Sequence, residues 1–253
     1  MQITFLGTGT SQGVPVIACQ CKVCQSEDPK DKRLRSSILV KHKNKTFIID
    51  TGPDFRQQML REKVYHLDFV LLTHEHKDHT AGLDDIRAFN FSQQEAMNVY
   101  ANKRTCNAIR TEFSYAFDEC KYPGVPEIKL HEINNRSFNA QGISIQPIHI
   151  IHFKLPVIGF RIDKMAYITD ASFICETEMA KLYNLDLLVI NALGIKHHYS
   201  HFNLEEAMVI VKQLQPKQAY FTHISHVMGL DDEVNKTLPP SIQLAHDGLK
   251  IEI

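Results

Sequence analysis

Phe69-Val70-Leu71-Leu72-Thr73-His74-Glu75-His76-Lys77-Asp78-His79 decides how this chain is read. The apolar start reads as a buried strand, and the spacing His-x-His-x-Asp-His then puts three imidazoles and one aspartate within six residues. Neutral imidazoles and a carboxylate are donors that Zn²⁺, Mn²⁺ and Fe²⁺ accept. A strand running straight into such a loop holds those donors at the rigid end of a sheet. A solvated histidine-rich loop is the plain alternative, and it leaves the further candidate ligands downstream unexplained.

Outward from this run, strand-like segments come in order. Gln2 to Leu6, Ser37 to Lys41, Lys45 to Asp50 across a Lys43-Asn44 turn, and Asp68 to Leu72 precede it or contain it. Asp54 to Glu62 reads as a helix capped by Asp54 with Phe55, Met59 and Leu60 on its apolar face. Helical spacing returns at Leu83 to Phe89 and Lys103 to Phe117, with a short strand near Val99-Tyr100 between them. Tyr122-Pro123-Gly124-Val125-Pro126 then breaks the chain into two similar halves. The second half reads as strands at Ile128 to Ile133, Ile143 to Ile150, Val157 to Ile162 and Met165 to Thr169. A helix from Glu176 to Tyr183, a buried strand Leu185 to Ile190, and a helix opened by Asn203-Leu204-Glu205-Glu206 and running to Leu214 follow. Gln218 to His223 is one more strand, and Ile242 to Ala245 with Leu249 to Ile253 around Asp247-Gly248 reads as a terminal hairpin. This order predicts two mixed β-sheets flanked by helices, an α/β fold in four layers, αββα.

The 253 residues carry 28 Lys and Arg against 29 Asp and Glu, a net charge of −1. Such a balance offers no basic field for long nucleic acid or an anionic membrane. No apolar stretch reaches the roughly 18 to 20 residues of a membrane span, and the N-terminus lacks the pattern of a signal peptide. The reading is a cytoplasmic protein of one domain, residues 1–253, with a metal-binding loop at about 7–26. Nothing in the composition opposes a homodimer, which is carried as an expectation.

Candidate ligands stand at four strand ends: His74, His76, Asp78 and His79; His152; Asp170 after Ala166 to Thr169; and His223 after Ala219 to Thr222. Seven ligands exceed the needs of one four-coordinate ion, so two divalent ions are implied. A carboxylate such as Asp170 can bridge them. His149 competes with His152, since three residues along a strand place the two on opposite faces. His42, His66, His131 and His246 lack such a context and read as surface or structural.

The order of these motifs resembles the metallo-β-lactamase superfamily over nearly the whole chain. The resemblance implies the metallo-β-lactamase-type αββα sandwich, with His74, His76 and His152 on one ion, Asp78, His79 and His223 on the other, and Asp170 between them. It favours His152 over His149, because the Gly159-Phe160 pair follows at the familiar distance. Asp50, ending Phe47-Ile48-Ile49-Asp50-Thr51-Gly52, matches the family's early aspartate, which orients the ligand loop.

Cys19, Cys21 and Cys24 are too close in sequence for an ordinary disulfide network and suit a structural zinc. His226, three residues past His223, offers the fourth ligand of a Cys₃His site. Cys106, Cys120 and Cys175 read as isolated buried thiols. With Gly7 to Pro15 and Thr222-His223-Ile224-Ser225-His226, the cysteine set resembles the branch containing the phosphoribosyl cyclic phosphate phosphodiesterases of phosphonate catabolism. The resemblance implies a hydrolase with two catalytic ions (zinc, manganese or iron) and one structural zinc, cleaving a small sugar or nucleotide phosphodiester. Asp78 and His201 would act in catalysis, His201 by protonating the leaving oxygen. Arg35, Lys154 and Lys196 remain open as phosphate contacts. Thioester or lactone hydrolysis, tRNA 3′ processing, quinone-cofactor biosynthesis and a non-catalytic zinc-stabilised binding module stay open beside this reading.

Overall fold

The computed structural model describes residues 1–120 and 122–253. Its strands, in chain order, are β1 (Gln2–Gly7), β2 (Ser37–His42), β3 (Lys45–Ile49), β4 (Phe69–Leu71), β5 (Met97–Asn102), β6 (Ile128–Ile133) and β7 (Phe138–Ala140). They continue as β8 (Ile143–His152), β9 (Leu155–Ile162), β10 (Met165–Ile168), β11 (Leu187–Asn191), β12 (Gln218–Thr222), β13 (Ile242–Leu244) and β14 (Lys250–Glu252). One seven-stranded sheet has the order β14-β1-β2-β3-β4-β5-β6, and the other β13-β12-β11-β10-β9-β8-β7. Both are mixed. β3 to β6 run parallel in the first sheet and β10 to β13 in the second.

Side-chain alternation divides the interior into three apolar layers. In β3, Phe47 and Ile49 point between the sheets while Ile48 points outward; in β10, Met165 and Tyr167 point inward while Ala166 and Ile168 point outward. The outer layers are completed by helices Phe55–Arg61, Arg87–Gln93 and Lys103–Glu112 on one side and Leu204–Leu214 on the other. Strands covered on both faces must be apolar throughout, which is why Phe69 to Leu72 carries no polar alternation. Phe47 and Phe69 stack at 4.4 Å in the middle layer, so truncating either to Ala would cost about 3–5 kcal/mol.

Several local expectations hold. Lys43 and Asn44 both have positive φ and close the β2–β3 hairpin in the manner of a type I′ turn. Asn203 and Glu206 form a reciprocal capping box, with N–H···O distances of 2.8 and 2.9 Å.

Other expectations are corrected. The segments Ile242 to Ala245 and Leu249 to Ile253 do not pair with each other. β13 joins β12 in one sheet and β14 joins β1 in the other, so the Asp247-Gly248 segment crosses between sheets. The division between halves falls one strand later than Tyr122 to Pro126, because β6 pairs with β5. Asp54 does not cap its helix; its carboxylate accepts from the Arg35 backbone N–H and pairs with the Arg35 guanidinium. The helices begun at Lys103 and Glu176 stop at Glu112 and Met179, each followed by a short 3₁₀ turn. Among the described residues, no helix is long and apolar enough to cross a membrane.

Candidate metal centre

Parallel strands end on the same side of their sheet, and chemistry collects at those ends. Asp50 follows β3, the His74 to His79 loop follows β4, Asp170 follows β10 and His223 follows β12. The loop is fixed from beneath. The Asp50 carboxylate accepts the Thr73 backbone N–H at 2.8 Å and the Thr73 hydroxyl at 2.9 and 3.0 Å. Its other buried partner is His79 Nδ1, 2.7 Å away. Asp50, Asp170 and His223 all have φ between 56° and 68°, a left-handed conformation that residues other than glycine occupy at a cost and that concentrates at functional sites.

His74, His76 and His152 present ligand atoms within 4.8 Å of one another, and so do Asp78, His79, Asp170 and His223. Asp170 belongs also to a third set with His152 and His201, which places it between the two groups. His74 Nε2 and His79 Nε2 are buried without a hydrogen-bond partner among the described residues, and an unsatisfied buried nitrogen aimed at carboxylates and imidazoles fits a metal ligand. The other ring nitrogens are assigned: His79 Nδ1 faces Asp50, His152 Nδ1 faces the Ser200 carbonyl at 2.8 Å, and His74 Nδ1 faces the Thr73 hydroxyl at 3.0 Å. Such partners fix tautomer and ring orientation.

Charge balance in the site is uneven. Burial pulls His74 well below the ordinary imidazole range and His223 down to about 4. Burial opposes a proton on His79 as well, yet Asp78, Asp170 and Asp50 together hold its titration well above the ordinary value. Asp170 is buried too, but His223 and His79 keep it well below the usual carboxylate range.

His201 lies in the site. Its Nε2 is 3.0 Å from Asp170 Oδ1, and its ring stacks on His223 at 4.9 Å. His149 lies elsewhere, its backbone N–H on Glu178. Lys154 borders the cleft beside His152, whereas Arg35 is turned to Asp54 and Lys196 is exposed. His42, His131 and His246 bond to Asp163, Asn98 and the Asp247 carbonyl, and His66 faces Asp68.

The cysteine cluster closes as a second kind of site. Cys19, Cys21 and Cys24 place their Sγ atoms 3.2, 3.4 and 3.5 Å from His226 Nδ1. A tetrahedron with Zn–S near 2.3 Å and Zn–N near 2.0–2.1 Å has S···N edges of roughly 3.5 Å, so these four residues fit a closed zinc site. Cys106 is buried as expected, but Cys120 is exposed and Cys175 half-buried.

Two residues that hold the site escaped the sequence reading. Thr73 ties the ligand loop to Asp50, and the Asn191 side chain clamps Ala171 through both its N–H and its carbonyl, at 2.7 and 3.0 Å. A threonine and an asparagine at strand ends look like ordinary turn residues; only the neighbouring strand reveals what they hold.

Two mixed sheets with a His/Asp cluster suited to metal at their strand ends define the metallo-β-lactamase fold. A family model of the beta-lactamase superfamily domain matches residues 45–224. A solved structure described as a new diphosphatase from the PhnP family is 40% identical, with a TM-score of 0.93 over 99% of this chain and 96% of that one. The chain belongs to the beta-lactamase superfamily and, within it, to the PhnP family. The octanoyltransferase of Porphyromonas gingivalis is 40% identical over 99% of this chain, but the chain spans only 51% of that protein's length. The Zn²⁺-bound PqqB structure from Methylobacterium extorquens shares the fold, with a TM-score of 0.83 over 100% of both chains at 18% identity.

Proposed function

We propose that the protein hydrolyses small phosphodiesters or diphosphate esters at a paired divalent-metal centre, in a reducing cytoplasm where its cysteine cluster stays free of disulfides. The observation that carries this reading is the sharing of Asp170 between the two ligand groups, with His201 in contact with the same carboxylate. His74, His76 and His152 would hold one ion, Asp78, His79 and His223 the other, and Asp170 both. A bound pair of divalent ions supplies charge that activates water and offsets the negative oxygens around phosphorus. The chain's own residues do the rest. Asp50 and Thr73 keep the His79 and His74 rings oriented, and burial shields His74, His79, Asp170 and His223 from bulk water. His201, with Nδ1 near the Ser200 hydroxyl and Nε2 toward Asp170, is the acid proposed to protonate the departing oxygen.

The description of the 40% identical relative as a diphosphatase supports a phosphate ester over a thioester or lactone. Acyl transfer is not carried over from the P. gingivalis protein, because this chain accounts for about half of it. The test is turnover of bis(p-nitrophenyl) phosphate and a panel of small diphosphate esters by protein loaded with Mn²⁺ or Zn²⁺. Asp170→Ala should lower kcat/KM by at least about 10²–10³-fold, the scale of losing a main electrostatic contact. Full activity in that variant, or no turnover of any phosphate ester by the metal-loaded wild type, refutes the reading.

A further inference from the structure

A pocket of about 380 Å³ opens beside His76 and His152, two ligands of the first ion set. Its distinctive residues are two aromatics, Phe153 and Tyr199, and two cations, Lys154 and Arg104, with no carboxylate among its lining side chains. The rings stand 5.3 Å apart at 77°, and both are exposed, 52% for Phe153 and 68% for Tyr199. Exposed aromatic rings flanking a polar catalytic cleft are surfaces on which a planar group gains by stacking.

Phe153 occupies its place at a cost. It is the first central residue of the two-residue turn joining β8 to β9, where His152 pairs with Leu155, and its φ is +55°. Glycine or asparagine suits such a position, and a bulky side chain there is an outlier. A phenylalanine held in that conformation projects its ring at the hairpin tip, next to the metal ligand His152. Lys154, the other central turn residue, has its ammonium 5.3 Å from the Phe153 ring centroid and pairs with no acidic group among the described residues. Arg104 bonds Glu75 through Nε, leaving its guanidinium nitrogens Nη1 and Nη2 to meet a phosphate.

We propose that this pocket is the subsite for a nucleobase and a non-reacting phosphate, making the substrate a nucleoside 5′-diphosphate; the inference rests on the phosphate-ester hydrolysis proposed above. With the two ring planes at 77°, the base stacks on one ring and meets the other edge-on, and Lys154 and Arg104 hold the phosphate away from the metal centre. Hydrolysis adds one water across the P–O–P linkage. The water oxygen bonds to the β-phosphorus as the bond from that phosphorus to the bridging oxygen breaks; the bridging oxygen leaves with the nucleoside monophosphate, and of the two water protons one stays on inorganic phosphate and the other passes to solvent.

The test compares ADP with ribose 5-diphosphate, which keeps both phosphates and lacks the base. Metal-loaded wild type should favour ADP in kcat/KM by about 5- to 100-fold, the range for stacking one base on aromatic side chains. Phe153→Ala with Tyr199→Ala should collapse that preference toward unity. Equal kcat/KM for the two substrates in the wild type overturns the subsite while leaving phosphate-ester hydrolysis standing. If the wild type turns over neither, calorimetry with α,β-methylene-ADP decides the matter. Binding that weakens in the double variant supports the subsite although the hydrolytic reading fails, and no binding by the wild type overturns it.

Discussion

Asp50 and His79 face each other across 2.7 Å with both side chains fully buried, and that contact joins the first sheet to the ligand loop. The carboxylate accepts a hydrogen bond from His79 Nδ1–H and leaves Nε2 directed at Asp78 and Asp170, 3.1 and 3.2 Å away. Asp50→Asn should weaken the second metal set by about 10- to 100-fold, the usual effect of removing a partner that orients a ligand, as read by zinc titration against a competing chelator. Since His79 holds a proton well above the ordinary range before metal binds, metal uptake at neutral pH should release protons, visible as a buffer-dependent binding enthalpy. Unchanged affinity in Asp50→Asn would show that the His79 orientation comes from elsewhere.

Gly52 lies two residues past Asp50, where a Cβ atom would meet the Asp78 carbonyl oxygen at 2.1 Å. Backbone cannot move aside as a flexible side chain can. Gly52→Ala should therefore displace the Asp78-His79 segment while leaving the sheets intact. A shift near 1 Å at reacting groups is enough for about 100-fold in rate, so kcat should fall by that order with circular dichroism unchanged. Wild-type activity in the variant would mean that the loop tolerates the displacement.

The segment Thr222 to His226 serves both sites, with His223 in the Asp78 group and His226 on the cysteines. His226→Ala or Cys24→Ser should remove one zinc per chain by native mass spectrometry while the paired site still takes up metal. Structural zinc contributes folding free energy directly, and its loss should destabilise by several kcal/mol, a Tm lower by roughly 10 °C for a chain of this size. Retention of all metal would place the third ion elsewhere.

Much of this architecture is legible because β4 and β10 are apolar on both faces and give way within three residues to a histidine or aspartate. Phe69 to Leu72 and Ala219 to Thr222 advertise burial by composition, and the residue after each run then has to be polar for another reason. The Cys₃His group was readable because its fourth ligand sits three residues from His223. What escaped the sequence depends on contacts remote along the chain. Asp54 reads as a helix cap, but Arg35, brought alongside by β2, takes its carboxylate instead. The final strands look like a hairpin around Asp247-Gly248, yet each edge offered a parallel or antiparallel partner in a different sheet. Phe153 carries no pattern at all in sequence; its meaning lies in a backbone angle.

Asp247 gives a pH dependence whose sign is fixed by burial. Its carboxylate accepts the Leu34 N–H and the Thr8 hydroxyl, both at 2.8 Å, and sits 3.5 Å from Arg61. Burial nevertheless outweighs these contacts and pushes it up to about 6 from an ordinary 3.8. The folded chain therefore binds this proton more tightly than the unfolded chain, so the contribution to stability is full below the ordinary carboxylate value and is lost as pH rises through about 6. Between pH 5 and pH 7.5 the loss is about 1 kcal/mol. Asp247→Asn cannot titrate, and its unfolding free energy should fall by about 1 kcal/mol less than that of the wild type over this window. Urea melts of both proteins at the two pH values measure the difference, in which any constant effect of the substitution cancels. Identical pH slopes would show that Arg33 and Arg61 hold Asp247 ionised throughout, and that its position between the sheets is an ion-pair site in which burial does not dominate.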